Sequence, residues 1–263
     1  MRQPRGDSRG ILDPARLMRR VRFRRHLPAV PLRQWVEHYW LIDWNLTDPF
    51  EQRIVPHPAV NLVAQRDGDG PERAEVAGVG TELFSIILTG SGRVSGVQFR
   101  PGGFHPFWRR SVAELTDQRR PLVDRADLDV TPVCAGTDAE RCQALDTLLT
   151  GWTPRPDPVN DEVMRLVETI RTDRNVRRVD EFAHEHGVSV RRLQRLFLTH
   201  VGVGPKWVIR RYRLHEAIER AAGGPLDWAG LAAELGYSDQ AHLVRDFTAT
   251  TGVSPAAYAQ SRR

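Results

Sequence analysis

The chain has 263 residues, 40% of them apolar, which suits one large or two ordinary folded domains and argues against disorder. No apolar run approaches the roughly 18 residues of a bilayer span, and the Arg-rich start lacks the apolar stretch of a signal peptide. A cytoplasmic protein without membrane contact is therefore expected. The net charge of +5 suits a nucleic-acid partner, and 37 of the 38 basic residues are Arg, Lys206 being the only lysine; Arg makes the bidentate contacts to guanine and phosphate that Lys does not.

Residues 1–25 hold nine Arg and two Asp with little periodicity, and read as a mobile basic tail, with Met18 as an alternative first residue. Residues 26–150 are expected to form a β-rich domain. "EHYWLIDW" (37–44), the two short apolar runs within 52–70, "AEVAGVG" (74–80), "ELFSIIL" (82–88) and "RVSGVQFR" (93–100) are strand-length segments separated by Gly-containing turns. Short strands this closely spaced suggest a small barrel or sandwich. Ser111 and Glu114 have capping-box spacing and should open a short helix. "DAERCQALDTLLTG" (138–151) places Leu145, Leu148 and Leu149 on one helical face. The proline-rich stretch 151–158 reads as an interdomain linker. From Val159 to Arg263 the pattern is helical, beginning with the stripe Val163, Leu166, Val167 and Ile170.

Within this second half a pattern occurs twice. Gly187 and Ser189 match Gly236 and Ser238; Leu193, Arg195, Phe197, Gly202 and Pro205 match Leu243, Arg245, Phe247, Gly252 and Pro255. Each copy reads as a helix, a tight turn closed by Gly, and a second helix capped by Ser. In the first copy Leu193, Leu196 and Phe197 are spaced to pack inward, leaving Arg191, Gln194 and Arg195 outward, with Arg192 beside them. In the second, Leu243, Val244 and Phe247 pack inward and Gln240, Ala241, His242 and Arg245 face out. Arg and Gln are the side chains that read guanine and adenine edges. The intervening "GPKWVIRRYRLHEAIERAA" (204–222) is a helix of some eighteen residues, roughly 27 Å long. That length could hold two reading helices about one duplex turn apart. Its Arg210, Arg211 and Arg213 are candidate phosphate contacts.

At these residues the sequence resembles the AraC/XylS type of bacterial transcriptional regulator, strongly over 159–263 and most of all in "LAAELGYSDQAHLVRDFTATTGVSPAAY". The resemblance implies seven helices with two helix-turn-helix units. It also places Arg191, Gln194 and Arg195, then Ala241, His242 and Arg245, where recognition helices meet bases. Many members carry a polar or aromatic residue where Ala241 stands, so the second helix is expected to lean more on backbone contacts. The first half does not look like the family's sugar-sensing barrel. In "VEHYW", "PHPAVNLV", "GVGTELFS" and "VQFRPGGFHPFW" it resembles a less characterised sensor-like domain on the same DNA-binding unit.

The first domain offers Trp40, His57, Arg100 and Phe104 as candidate effector contacts, and Trp35, Trp40, Trp44 and Trp108 as lining for an apolar pocket. His57 and His105 lack the third group that a metal site needs, so no metal and no cofactor is expected. Cys134 and Cys142 lack the basic neighbours of an activated thiolate. The expectation is thus an α+β, two-domain, non-enzymatic regulator that binds double-stranded DNA. RNA polymerase, a small-molecule effector and a second copy of the chain are further candidate partners. The alternatives are a DNA-alkyl-repair or small-molecule enzyme fused to a DNA-binding module, and a protein–protein scaffold.

Overall fold

A computed structural model describes residues 10–122, 129–222 and 226–260. The first half is an open antiparallel sheet of six strands in the order β1-β2-β7-β4-β5-β8, with a two-stranded sheet, β3-β6, packed against it. The strands are β1 Val21–His26, β2 Val36–Asn45, β3 Phe50–Ile54, β4 Asn61–Asp67, β5 Arg73–Ala77, β6 Phe84–Leu88, β7 Ser91–Phe99 and β8 Arg119–Pro121. The long β2 and β7 are neighbouring interior strands, paired from Val36↔Phe99 to Asn45↔Ser91. In that register Trp40 faces Gly96, where any Cβ would lie 1.9 Å from the indole. Glycine at 96 is what lets the ring lie across β7.

Each face of the sheet is covered differently. On one, Tyr39, Leu62, Val97 and Phe99 pack against α2 (His105–Trp108), α3 (Thr131–Cys134) and α4 (Asp138–Gly151) through Phe107, Val133, Leu145 and Leu149. On the other, Val21, Trp44, Val63 and Val94 meet Phe50 and Leu88 of the small sheet and Leu17 of α1 (Pro14–Arg20). The capping box expected at Ser111 does not form: Ser111 makes no cap bond, and Val112–Leu115 is a single 3₁₀ turn. Thr137 and Glu140 form a full capping box instead, at the start of α4.

The expectation of a mobile tail over 1–25 is overturned from Gly10 onward, residues 1–9 lying outside the described residues. Asp13 caps α1, and β1 is the edge strand of the main sheet. Two arginines of β1 have carboxylate partners. Arg24 bonds Asp138 and lies 2.5 Å from Asp43, and Arg22 also reaches Asp138. The Arg24 hydrogen bond holds the Asp138 carboxyl down at about 2. Asp43 also accepts from Arg141, whose fully buried guanidinium bonds Ser95 Oγ at 2.9 Å and the Val94 carbonyl at 2.6 Å.

Residues 153–157 carry no regular structure, and Asp157 then caps the first of seven described helices. These are α5 Pro158–Thr172, α6 Val179–Glu185, α7 Val190–His200, α8 Pro205–Ala221, α9 Trp228–Glu234, α10 Gln240–Thr251 and α11 Pro255–Gln260. Gly187 and Gly236 close α6 and α9 at φ +65° and +72°, the left-handed conformation that glycine accepts without strain. One apolar cluster centres on α7 (Leu193, Leu196, Phe197) and another on α10 (Leu243, Phe247).

The two halves share these clusters. Val79 of the sheet half completes the first, and Leu12 and Val55 complete the second. Polar contacts follow the same seam. Thr116 Oγ1 donates to the Gly202 carbonyl at 2.6 Å, Tyr258 OH to the Leu12 carbonyl at 3.1 Å, and Arg211 to the Thr81 carbonyl at 2.7 Å.

Candidate DNA-binding surface

The second helix of each repeat has one buried and one exposed face. On α7, Leu193, Leu196 and Phe197 are buried, whereas Arg191, Arg192, Gln194 and Arg195 are exposed. Ser189 caps the helix by accepting from the Arg192 amide. Arg192 lies 3.6 Å from Glu162 of α5. Among the described residues, the side chains of Arg191, Gln194 and Arg195 form no hydrogen bond or ion pair, so their donors remain free for an outside partner.

On α10, Leu243 and Phe247 are buried and Val244 half-buried, with Gln240, Ala241 and Arg245 exposed and His242 half-exposed. Here the cap differs from expectation. Asp239, not Ser238, accepts from the His242 amide at 2.6 Å. The second copy is one residue longer between Ser238 and Leu243, and that shifts the cap by one position. Ser238 instead places its hydroxyl 3.2 Å from His242 Nδ1 and 3.3 Å from an Asp239 oxygen. That cap holds the Asp239 carboxyl below its usual range. Gln240 and Arg245 form no side-chain hydrogen bond or ion pair among the described residues.

The arginines of α8 are engaged within the protein. Arg211, expected as a phosphate contact, is only 5% exposed. Its guanidinium bonds the Thr81 carbonyl and lies 4.5 Å from the Trp207 ring centroid. Burial pushes its pKa down to about 10, against the pull of Asp246. Arg213 bonds the Leu235 carbonyl. Arg210 is half-exposed but lies 2.5 Å from Asp246, which also accepts from Tyr237 at 3.0 Å. Arginine at helical spacing looks alike whether it meets solvent or an absent phosphate; here the sheet half covers one of these positions.

The candidate effector contacts do not converge. Trp40 packs on the face covered by β3 and β6, and Phe104 lies in the opposite core, 4.9 Å between ring centroids from Phe99. Arg100 bonds the Arg33 carbonyl and pairs with Glu37. The four tryptophans are likewise divided between the two faces, Trp35 and Trp108 on one, Trp40 and Trp44 on the other. His57 reaches the seam between the halves. Its ring stacks on His215 at 4.1 Å, and both line a cavity of about 270 Å³ with Arg171, Arg174, Tyr212 and Glu216. Burial raises both thiols, Cys134 and Cys142, to about 11, the reverse of an activated thiolate.

Residues 182–261, which contain both repeats, match the family model of a helix-turn-helix domain. With both repeats inside the match, this makes the C-terminal unit a helix-turn-helix domain. Residues 24–121 match a domain of unknown function (DUF6597). No curated protein matches the sequence. Among solved structures, the chain is similar to the C-terminal domain of AraT, a response regulator from Geobacillus stearothermophilus. The identity is 23% over 41% of this chain and 88% of that one, with a TM-score of 0.36. It is also similar to ToxT from Vibrio cholerae O395 bound to (E)-4-(8-methylnaphthalen-1-yl)but-3-enoic acid. There the identity is 13% over 85% of this chain and 98% of that one, with a TM-score of 0.43. Among the described residues no helix is long and apolar enough to cross a membrane.

Proposed function

We propose that the protein reads a specific DNA site in the cytoplasm with α7 and α10 in two successive major grooves. The observation that carries this reading is the exposed, unpaired set Arg191, Gln194 and Arg195 on a helix whose other face is fully packed. Gln240, His242 and Arg245 form the corresponding set on α10, with Ala241 offering only a methyl contact. The 17-residue α8 separates the two, about 26 Å of rigid spacer at 1.5 Å per residue.

The sheet half is proposed to modulate DNA binding. It touches the α7–α8 turn through Thr116, α8 through Thr81 and the apolar cluster of α7 through Val79, so a change in the first half reaches the reading unit by packing. A small molecule in the seam cavity, or pairing of two chains, would act by favouring one arrangement of the halves over another. Contact with RNA polymerase belongs to the same reading.

The test is fluorescence anisotropy of the full chain on DNA from upstream of its own gene, against random DNA, at several salt concentrations. A preference of about 10³ or more for one fragment supports sequence-specific reading. Arg195→Ala should then lose about 1–3 kcal/mol on the preferred site and little on random DNA. Weak binding to every fragment that vanishes with salt would overturn the reading.

A further inference from the structure

Where the halves meet, three segments distant in the chain bring together side chains of metal-ligand type. His105 opens α2 directly after the Gly102-Gly103 turn, Asp157 caps α5, and His200 ends α7, the first recognition helix. One ligand atom from each lies within 4.8 Å of the other two. The two imidazole rings are 4.0 Å apart between centroids and tilted by 47°.

Each residue keeps a ligand atom that the protein does not use. His200 is 5% exposed, and its Nδ1 lies 3.1 Å from Asn160 Oδ1. Since that oxygen can only accept, Nδ1 carries the proton, and Nε2 is left as the lone-pair nitrogen. A ligating histidine is normally oriented in this way by a hydrogen bond to its other nitrogen. Asn160 is itself fully buried, with its amide nitrogen turned to Met164 Sδ. Asp157 uses Oδ1 to accept from the Val159 amide, leaving Oδ2 unused. Among the described residues the His105 ring forms no hydrogen bond.

We infer that His105, Asp157 and His200 form a binding site for a divalent transition-metal ion of the zinc class, bridging the sheet half and the first recognition helix. Two imidazoles and one carboxylate with an open fourth position suit Zn²⁺, Co²⁺ or Ni²⁺ better than the oxygen-seeking Ca²⁺ or Mg²⁺. Donors around a tetrahedral ion stand about 3.4 Å apart at metal–ligand distances of about 2.1 Å. Binding therefore draws His105 and Asp157, both half-exposed, inward onto the fixed His200. The ion would tie α7 to the α2 turn, so its affinity is linked to the arrangement of the two halves. The inference does not depend on which DNA is read.

The experiment is titration of the untagged, chelator-stripped full chain with Zn²⁺ against a chromogenic competitor, and with Co²⁺ by visible absorbance. One ion per chain is expected, with a Co²⁺ spectrum containing nitrogen ligation. His105→Ala and Asp157→Asn should each weaken binding by about tenfold or more, and Asn at 157 can still cap α5. His57→Ala, at the other histidine pair, should leave affinity unchanged. Circular dichroism of the metal-free variants separates loss of a ligand from loss of fold. No stoichiometric binding, or equal affinity in the parent, His105→Ala and Asp157→Asn, would overturn the assignment.

Discussion

Arg211→Ala separates two roles for the same residue. A phosphate contact would leave folding stability unchanged and reduce the slope of log K against log salt by about 0.9. The geometry indicates a structural role instead. The guanidinium donates to the Thr81 carbonyl at 2.7 Å, a charge-assisted bond of about 1.5–3 kcal/mol, and stacks on Trp207 for about 0.5–2 kcal/mol more. Against this, Nη1 is buried with no hydrogen-bond partner, a cost of about 1–3 kcal/mol that truncation removes. The net expectation is a loss of about 2 kcal/mol, seen as a lower midpoint in urea denaturation of the full chain. The salt slope of DNA binding should not change. Unchanged stability together with a slope reduced by about one would refute the structural reading and return Arg211 to the DNA-facing set.

Other consequences can be measured alongside. Asp239→Ala should cost about 1 kcal/mol by removing the α10 cap, and Ser238→Ala only a few tenths, a contrast that thermal melts will resolve. Arg141→Ala should cost about 3–5 kcal/mol, because the fully buried guanidinium supports Asp43, Ser95 and the Val94 carbonyl at once; a shift below 1 kcal/mol would mean that the network relaxes. Burial pushes His38 down to about 3 and His200 to about 4, with neighbouring Arg25 and His57 acting on the first and His105 on the second. Below pH 6.5 the unfolded chain takes up protons that these folded sites refuse, so stability falls as the pH drops. At pH 5 the loss is about 2 kcal/mol for each histidine, and denaturation midpoints flat from pH 7 to 5 would contradict it.

The helix-turn-helix unit was legible in the residues because its signals are local. Gly187 and Gly236 close the first helices, and the spacing of Leu193, Leu196 and Phe197 assigns a buried face, leaving Arg191, Gln194 and Arg195 opposite. Such periodicity is decided within one or two helical turns and hardly depends on the rest of the molecule. Even the misplaced cap was off by a single residue, since Ser238 and Asp239 are both capping types and one inserted position selects between them.

Contacts between residues far apart in the chain could not be read that way. An arginine-rich start looks like a mobile tail until Asp43 and Asp138 are known to lie beside it. Arg211 repeats the helical spacing of a phosphate contact, and only the approach of Thr81 makes it a buried clamp. The histidines are the clearest case. His57 and His105 were the pair visible in the first half, yet His57 stacks on His215 and His105 meets His200 with Asp157. Helical periodicity says which way a side chain points from its own backbone, but its partner depends on how separate elements pack.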